Sequence, residues 1–151
     1  MAETVDYAIG GTTQPSQLRY AKLVVLKRVM KATDIIASNA VLTAAAKIAA
    51  GDIIQCINIP AGFIALKTVV DVTAVGTAAS TVDIGTGGGD QWQDGIDIAT
   101  ATVKMTLVGD DYGGDTVEGV SYAATDTLDV TYVADEITGS FTVYLVGFML
   151  N

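Results

Sequence analysis

From Asp52 to Phe148 the chain is a succession of short runs rich in Val, Ile, Thr and Tyr, separated by clusters of Gly, Asp and Asn. β-Branched and aromatic side chains suit a pleated, half-buried surface, so this rhythm specifies many short strands. Strands are expected near 52–59, 63–75, 80–85, 101–108, 117–122, 126–133 and 140–149. Pro60-Ala61-Gly62 breaks the first pair, and Thr86-Gly87-Gly88-Gly89-Asp90 and Gly109-Asp110-Asp111-Tyr112-Gly113-Gly114-Asp115 read as loops. Ala134-Asp135-Glu136-Ile137-Thr138-Gly139 is expected to join the last two strands as a hairpin. In Leu128–Val133 and Phe141–Val146 the alternation sends one set of side chains inward and the other outward. No βαβ rhythm, heptad or fixed-period repeat appears. The pattern therefore calls for an all-β sandwich or closed barrel rather than a parallel sheet.

The first fifty residues are less uniform. Residues 1–17 carry few large apolar groups and contain Gly10-Gly11-Thr12-Thr13-Gln14-Pro15-Ser16. Such a stretch cannot offset its own ordering entropy, so it is expected to form an extended N-terminal arm. Leu23-Val24-Val25-Leu26 and Val29-Met30 fit a strand or a basic amphipathic helix, and their β-branched content favours the strand. Alanine-rich residues 40–50 predict a short helix stopped at Gly51. The expected organisation is an arm at 1–17, a basic connecting segment at 18–50 and a β-sandwich domain at 51–151.

A chain of 151 residues fits one domain and can bury roughly two thirds of its unfolded surface. Cys56 is the single cysteine, which excludes an internal disulfide. Set within Ile53-Ile54-Gln55-Cys56-Ile57-Asn58-Ile59, it reads as a small buried hydrophobe. There is no histidine, so the commonest general base and transition-metal ligand is missing and the usual Ser-His-Asp and Cys-His arrangements cannot form. The first residues lack the basic and apolar regions of a secretory signal, and no apolar run approaches a bilayer span. A protein soluble as made, in the cytoplasm of its host cell, is the expectation.

A net charge of −9 argues against nucleic acid as a partner, because phosphate neutralisation needs a basic surface. The charge is unevenly spread. Residues 1–50 hold six basic side chains against three acidic ones, whereas 51–151 hold only Lys67 and Lys104 against fourteen acids. This is either a chance excess on one solvated strand or a segment that docks on an acidic neighbour, such as another copy of the same body.

Asp90, Asp94 and Asp97 lie close in sequence, as do Asp110, Asp111, Asp115 and Glu118. Neither group has the EF-hand spacing, and turn aspartates bonded to their own backbone are the commoner arrangement, so no metal is assigned. Gly85-Thr86-Gly87-Gly88-Gly89 lacks the Lys and Ser/Thr of a phosphate loop and precedes no helix. Trp92, the only tryptophan, could stack on a sugar or fill a partner's pocket. It could equally plug one end of the sandwich, and that interior reading is preferred.

Four segments carry a family resemblance. Ile57-Asn58-Ile59-Pro60-Ala61-Gly62-Phe63-Ile64-Ala65-Leu66 resembles the strand, Pro-Ala-Gly, strand corner of small phage structural proteins. Thr81-Val82-Asp83-Ile84-Gly85 followed by Asp94-Gly95 is similar to a recurrent segment of theirs, and so is Tyr122–Val130. The ending Gly139-Ser140-Phe141-Thr142-Val143-Tyr144-Leu145-Val146-Gly147-Phe148 resembles their final strand. The chain thus resembles tailed-phage capsid decoration, or cement, proteins over about residues 51–149.

That resemblance implies a jelly-roll-like fold and many copies on the capsid surface of a virion. It also implies homotrimers, the major capsid protein as partner, and neither enzymatic activity, cofactor nor membrane. On this reading Arg19, Lys22, Lys27, Arg28 and Lys31 would meet acidic neighbours, with Trp92 as the aromatic candidate for a partner contact. The rivals are a receptor- or glycan-binding jelly roll of a tail fibre or spike, using Trp92 or Tyr112, a carbohydrate-active enzyme with an acid pair, and a tail-tube or head-completion protein.

Overall fold

The computed structural model describes residues 21–77, 79–88, 92–107 and 119–150. Two antiparallel sheets pack face to face. The first contains β1 (Ala21–Lys31), β9 (Ser140–Leu150), β3 (Phe63–Ala74) and β6 (Val103–Leu107), in that order, with the short β7 (Val120–Ser121) also on β3. The second runs β2 (Ile53–Ile59), β8 (Asp126–Tyr132), β4 (Thr81–Gly85), β5 (Gln93–Asp97).

The strand pairs explain this order. β1 pairs with β9, β2 with β8, β3 with both β6 and β7, and β4 with β5. That is the pairing of one long hairpin with its tip between β4 and β5. Rolling the hairpin lays β9 beside β3 and β8 beside β4, which closes the two sheets. With β6 and β7 taking turns along β3, this is the eight-strand jelly roll, as the resemblance implied.

The core lies between the sheets. Phe63, Val70, Val143 and Leu145 from the first sheet meet Ile59, Val82, Ile84, Leu128, Val130 and Tyr132 from the second, all fully buried. These come from alternate positions of each strand, as a sheet buried on one face requires. Tyr132 and Phe141 bring their rings to 6.4 Å across the layer, and Trp92 and Tyr122 meet edge-on at 6.2 Å. Gln93 supplies a polar tie through the interior, its Nε2 donating to Thr68 Oγ1 at 2.7 Å.

Four sequence expectations change. The connecting segment 18–50 is no connector outside the body, because β1 pairs with β9 along all of Ala21–Lys31 and completes the first sheet. The segment 134–139 is a crossover rather than a hairpin, since β8 and β9 lie in different sheets. Gly139, at φ 89, and the carboxylate of Glu136 hold this bend.

The helix expected at 40–50 is shorter. α1 (Ala32–Ser38) and α2 (Ala40–Ala45) meet at Asn39, whose Oδ1 caps α2 by accepting from the N–H groups of Val41 and Leu42. Ala46 ends α2 in the left-handed region. Beyond it, Ile48 bridges Glu136 and Lys47 pairs with Asp135, so tertiary contacts override alanine's helix propensity. Finally, β5 stands where the sequence predicts no strand. Its Gln93 and Ile96 turn inward beside buried Trp92 and Ile98, and that apolar spacing was the available signal.

Candidate assembly surface

Sorting charges by sheet separates them. Lys22, Lys27, Arg28, Lys31, Lys67 and Lys104 all lie on strands of the first sheet, against the single acid Asp71. The second sheet holds Asp83, Asp94, Asp97, Asp126 and Asp129 and no cation on its strands. The imbalance between the two ends of the sequence therefore becomes an imbalance between the strands of two sheets.

β1 forms an edge of its sheet, with no strand on its other side among the described residues. Val24, Leu26 and Met30 turn toward the core, so Leu23, Val25, Lys27, Val29 and Lys31 point out. Leu23, Val25 and Val29 are 59%, 53% and 58% exposed. Their register partners on β9 carry the apolar surface inward: Leu23 faces Phe148, and Val25 faces Val146. Phe148 in turn faces Ile64 on β3. An antiparallel sheet covered on one side normally alternates apolar inward with polar outward. Here both sides of β1 and β9 are apolar, and exposed patches of this kind mark surfaces that meet another molecule.

The sequence showed the basic residues but not this apolar row. The signal was available in Leu23-Val24-Val25-Leu26, four consecutive large apolar residues that a strand cannot all turn inward. Lys22, Lys27 and Arg28 are exposed and find no ion-pair partner among the described residues, while Lys31 lies 3.0 Å from Asp34. Lysines on an edge strand also discourage two such edges from pairing with each other. Arg19 and the segment 1–17 lie outside the described residues.

Trp92 is completely buried, so its place in the fold is the interior one, and contact with another molecule would require opening the core. Cys56 is buried too; burial first, then the charge of Asp129, pushes its thiol up to about 12, which leaves it protonated and unreactive near neutrality. Asp97 accepts the N–H of Ala99 two residues on, the local turn bond that favours aspartate there. Hydrogen bonds from the Thr100 side chain and then from Ala99 hold its carboxyl below the usual carboxylate range. Asp90, Asp110, Asp111, Tyr112, Asp115 and Glu118 lie outside the described residues. Among the described residues, no group of three or more His, Cys, Asp or Glu side chains converges to hold a metal ion, and no helix is long and apolar enough to cross a membrane.

A groove of about 730 Å³ follows the seam between β1 and β2 and is lined by Leu26, Gln55, Asn58, Pro60, Asp126 and neighbours. No aromatic side chain lines it, so it lacks the flat platform on which a sugar ring would stack.

The described residues form a small jelly roll with an exposed apolar row along β1. No protein-family model and no curated protein matches the chain. Among solved structures, its fold matches a chain in the cyanophage Pam1 capsid asymmetric unit, with a TM-score of 0.62 and 13% identity over 97% of this chain and 98% of that one. A chain of the Ralstonia phage GP4 capsid matches with a TM-score of 0.56 and 14% identity, covering 86% of this chain and 85% of that one. A chain of the acidic stable capsid structure of Helicobacter pylori bacteriophage KHP30 matches at 0.50 and 12% identity, covering 85% and 93%. The likeness at these identities is one of fold: this chain has the jelly roll found in phage capsid particles.

Proposed function

We propose that this chain is a virion structural protein that decorates the outside of a phage head and cements its assembled shell, acting as a homotrimer on the major capsid protein. The observation that carries the reading is the end-to-end match to a chain of the cyanophage Pam1 capsid asymmetric unit, nearly complete for both chains. The surface supports the same reading. The chain offers an exposed apolar row along β1 and β9, which suits contact with a large neighbour better than capture of a small ligand.

Cementing is a linkage effect. A protein that binds the assembled shell and not its free subunits shifts the equilibrium toward the intact shell, by an amount that grows with its free concentration relative to its dissociation constant. Closed trimers would also cover the β1 edge, which otherwise risks uncontrolled pairing.

The test is the copy number in purified particles from the source, measured by quantitative mass spectrometry against the most abundant shell protein. A ratio near one is expected. A few copies per hundred shell proteins would replace decoration by a fibre, spike or completion role, and absence from particles would end the virion reading.

A further inference from the structure

We propose that residues 4–9 of this chain fold back on their own body and pair as a further antiparallel strand along the outer edge of β1, closing the groove between β1 and β2. The inference goes beyond the decoration reading and does not rest on it. In a trimer, the added strand would be the edge that a neighbour meets.

β1 and β2 are end strands of their sheets among the described residues, and they lie on the same side of the sandwich. The groove of about 730 Å³ between them is lined by Leu26 and Gln55. A second cavity, of about 370 Å³, shares Gln55 and adds Arg28, Ile35 and Ile54. Leu26, Ile35 and Ile54 are only half-buried there. An edge strand presents a row of backbone N–H and C=O groups to whatever lies beside it. A bare edge above a partly apolar furrow is the geometry that an added strand completes, through ladder hydrogen bonds and alternate side chains.

Connectivity and sequence select the occupant. Residues 1–20, which lie outside the described residues, lead directly into β1 at Ala21. Ala21 faces Leu150, and the next residue, Met149, faces Phe63, so the chain enters at the Pro60 end of the groove and has only to reverse. Thr4-Val5-Asp6-Tyr7-Ala8-Ile9 alternates large apolar with polar or small side chains, as a strand covered on one face does. Gly10-Gly11 and Pro15, residues suited to a reversal, follow it before β1. A tether this short gives the segment an effective concentration on the order of millimolar at its own groove. Two β1 edges pairing with each other would instead bring Lys22, Lys27 and Arg28 of both copies together, and like charges across a strand pair oppose that.

One register satisfies both packing and charge. Directly opposed residues of an antiparallel pair share a face. Setting Val5 opposite Leu26 and Tyr7 opposite Val24 puts apolar side chains on the inward set of β1, over the groove. Ile9 then lies against the aliphatic stem of Lys22, and Glu3 falls opposite Arg28. Arg28 lines the groove without an ion-pair partner among the described residues, while Asp34 beside it is held by Lys31.

The experiment uses the full chain in solution. Amide hydrogen exchange by NMR should find slow exchange on both sets of alternating β1 N–H groups, those directed to β9 and those directed to the outer edge. Val5→Asp with Tyr7→Asp should speed exchange of the outer set roughly tenfold or more and leave the inner set unchanged. Glu3→Arg should do so more weakly, and adding Arg28→Glu should restore protection. Emission from buried Trp92 checks that each variant is folded. Contacts between the Tyr7 ring and Leu26 should appear within one copy in a mixture of differently labelled chains. Outer N–H groups that exchange freely in the wild type, or that ignore the double variant, would overturn the proposal. So would failure of the charge exchange to restore protection, or Tyr7 contacts seen only between copies, which would mean exchanged arms. None of these outcomes alters the copy number in particles, so the decoration reading stands or falls separately.

Discussion

Glu136 and Thr77, 59 positions apart in the chain, are joined by one carboxylate: Glu136 Oε1 accepts both the N–H of Thr77, at 3.0 Å, and its hydroxyl, at 2.9 Å. The same oxygen accepts the N–H groups of Ile137 and Thr138, while the backbone of Glu136 exchanges two hydrogen bonds with Ile48. One buried residue, through its side chain and its backbone, thus fastens three crossings between the sheets: the segment before β2, the turn after β3 and the passage from β8 to β9. Gly76 is required beside it, because a Cβ there would stand 2.2 Å from Glu136 Oε2.

This clip predicts an acid-sensitive stability. Burial by itself raises the pKa of Glu136. The donors around it outweigh burial and hold the carboxyl below its usual range; they are the Ser80 hydroxyl, which falls short of full hydrogen-bond geometry, and the Thr138 and Thr77 groups. A folded pKa below the unfolded value of about 4.3 means that the stabilisation is fully present above that value and is lost as pH falls through the folded pKa. The urea midpoint should be flat from pH 7 to about 5 and fall below about pH 4. Glu136→Gln should lose about 2–3 kcal/mol at pH 7, as expected for a buried, charged hydrogen-bonding group, and show a shallower acid decline. An undiminished acid slope in that variant would place the titration elsewhere.

The Gln93–Thr68 tie should behave as a coupled pair. Thr68→Val leaves the Gln93 amide with only its longer bond to the Thr68 carbonyl, and Gln93→Leu leaves the Thr68 hydroxyl without that donor, each at about 1–3 kcal/mol. The double variant replaces both partners and should cost less than the sum of the two. A double-mutant cycle by chemical denaturation measures this, and strict additivity would show that the 2.7 Å contact carries no energetic coupling.

Gly147 marks where β9 passes closest to β3. A Cβ added there would lie 2.1 Å from the Ile64 carbonyl oxygen and 2.6 Å from Phe63 Cζ. Because the first obstacle is backbone, Gly147→Ala should cost about 3 kcal/mol and lower Tm by roughly 6–12 °C for a domain of this size. Gly51→Ala, in open space but at φ 89, should cost only about 1 kcal/mol from backbone strain. Calorimetry of both variants checks the contrast, and equal losses would contradict it.

Two interior probes should respond together. Cys56, buried and with its thiol pushed up to about 12, should resist a thiol-specific disulfide reagent at pH 8 until the chain unfolds. Trp92 should emit at short wavelength in the native protein and shift red on unfolding, since it is fully buried. Labelling and emission followed along one urea series should give a single shared midpoint. Labelling well before the emission change would reveal that β2 opens separately.

The strands were legible because most are half-buried, and half-burial writes itself into sequence as alternation. β2, β3, β4, β6, β7, β8 and β9 stand where Val, Ile, Thr and Tyr cluster. β5 was not legible because Asp94 and Gly95 occupy its centre beside irregular pairing with β4, and its anchor Gln93 is a polar residue turned inward. The crossover at 134–139 looked like a hairpin because turn chemistry is local, whereas the choice of sheet is made by Glu136 and partners far along the chain. The basic residues of β1 were visible as composition. Their gathering in one sheet, packed on another whose strands carry no cation, depends on the rolled pairing of distant strands and could not be read from neighbouring residues.

The full-length pairing of β1 with β9 has a practical side. It sets Ala21 opposite Leu150, so the first and last described strands begin and finish at the same corner of the sandwich. A short linker between those two points would turn the described body into a closed loop, and new ends could be opened at the β4–β5 tip of the rolled hairpin. Peptides joined at Ala21 and Leu150 of the described body would emerge side by side, giving each copy a single double-stranded tether. On a multi-copy particle, such tethers would be spaced by the lattice rather than by linker length.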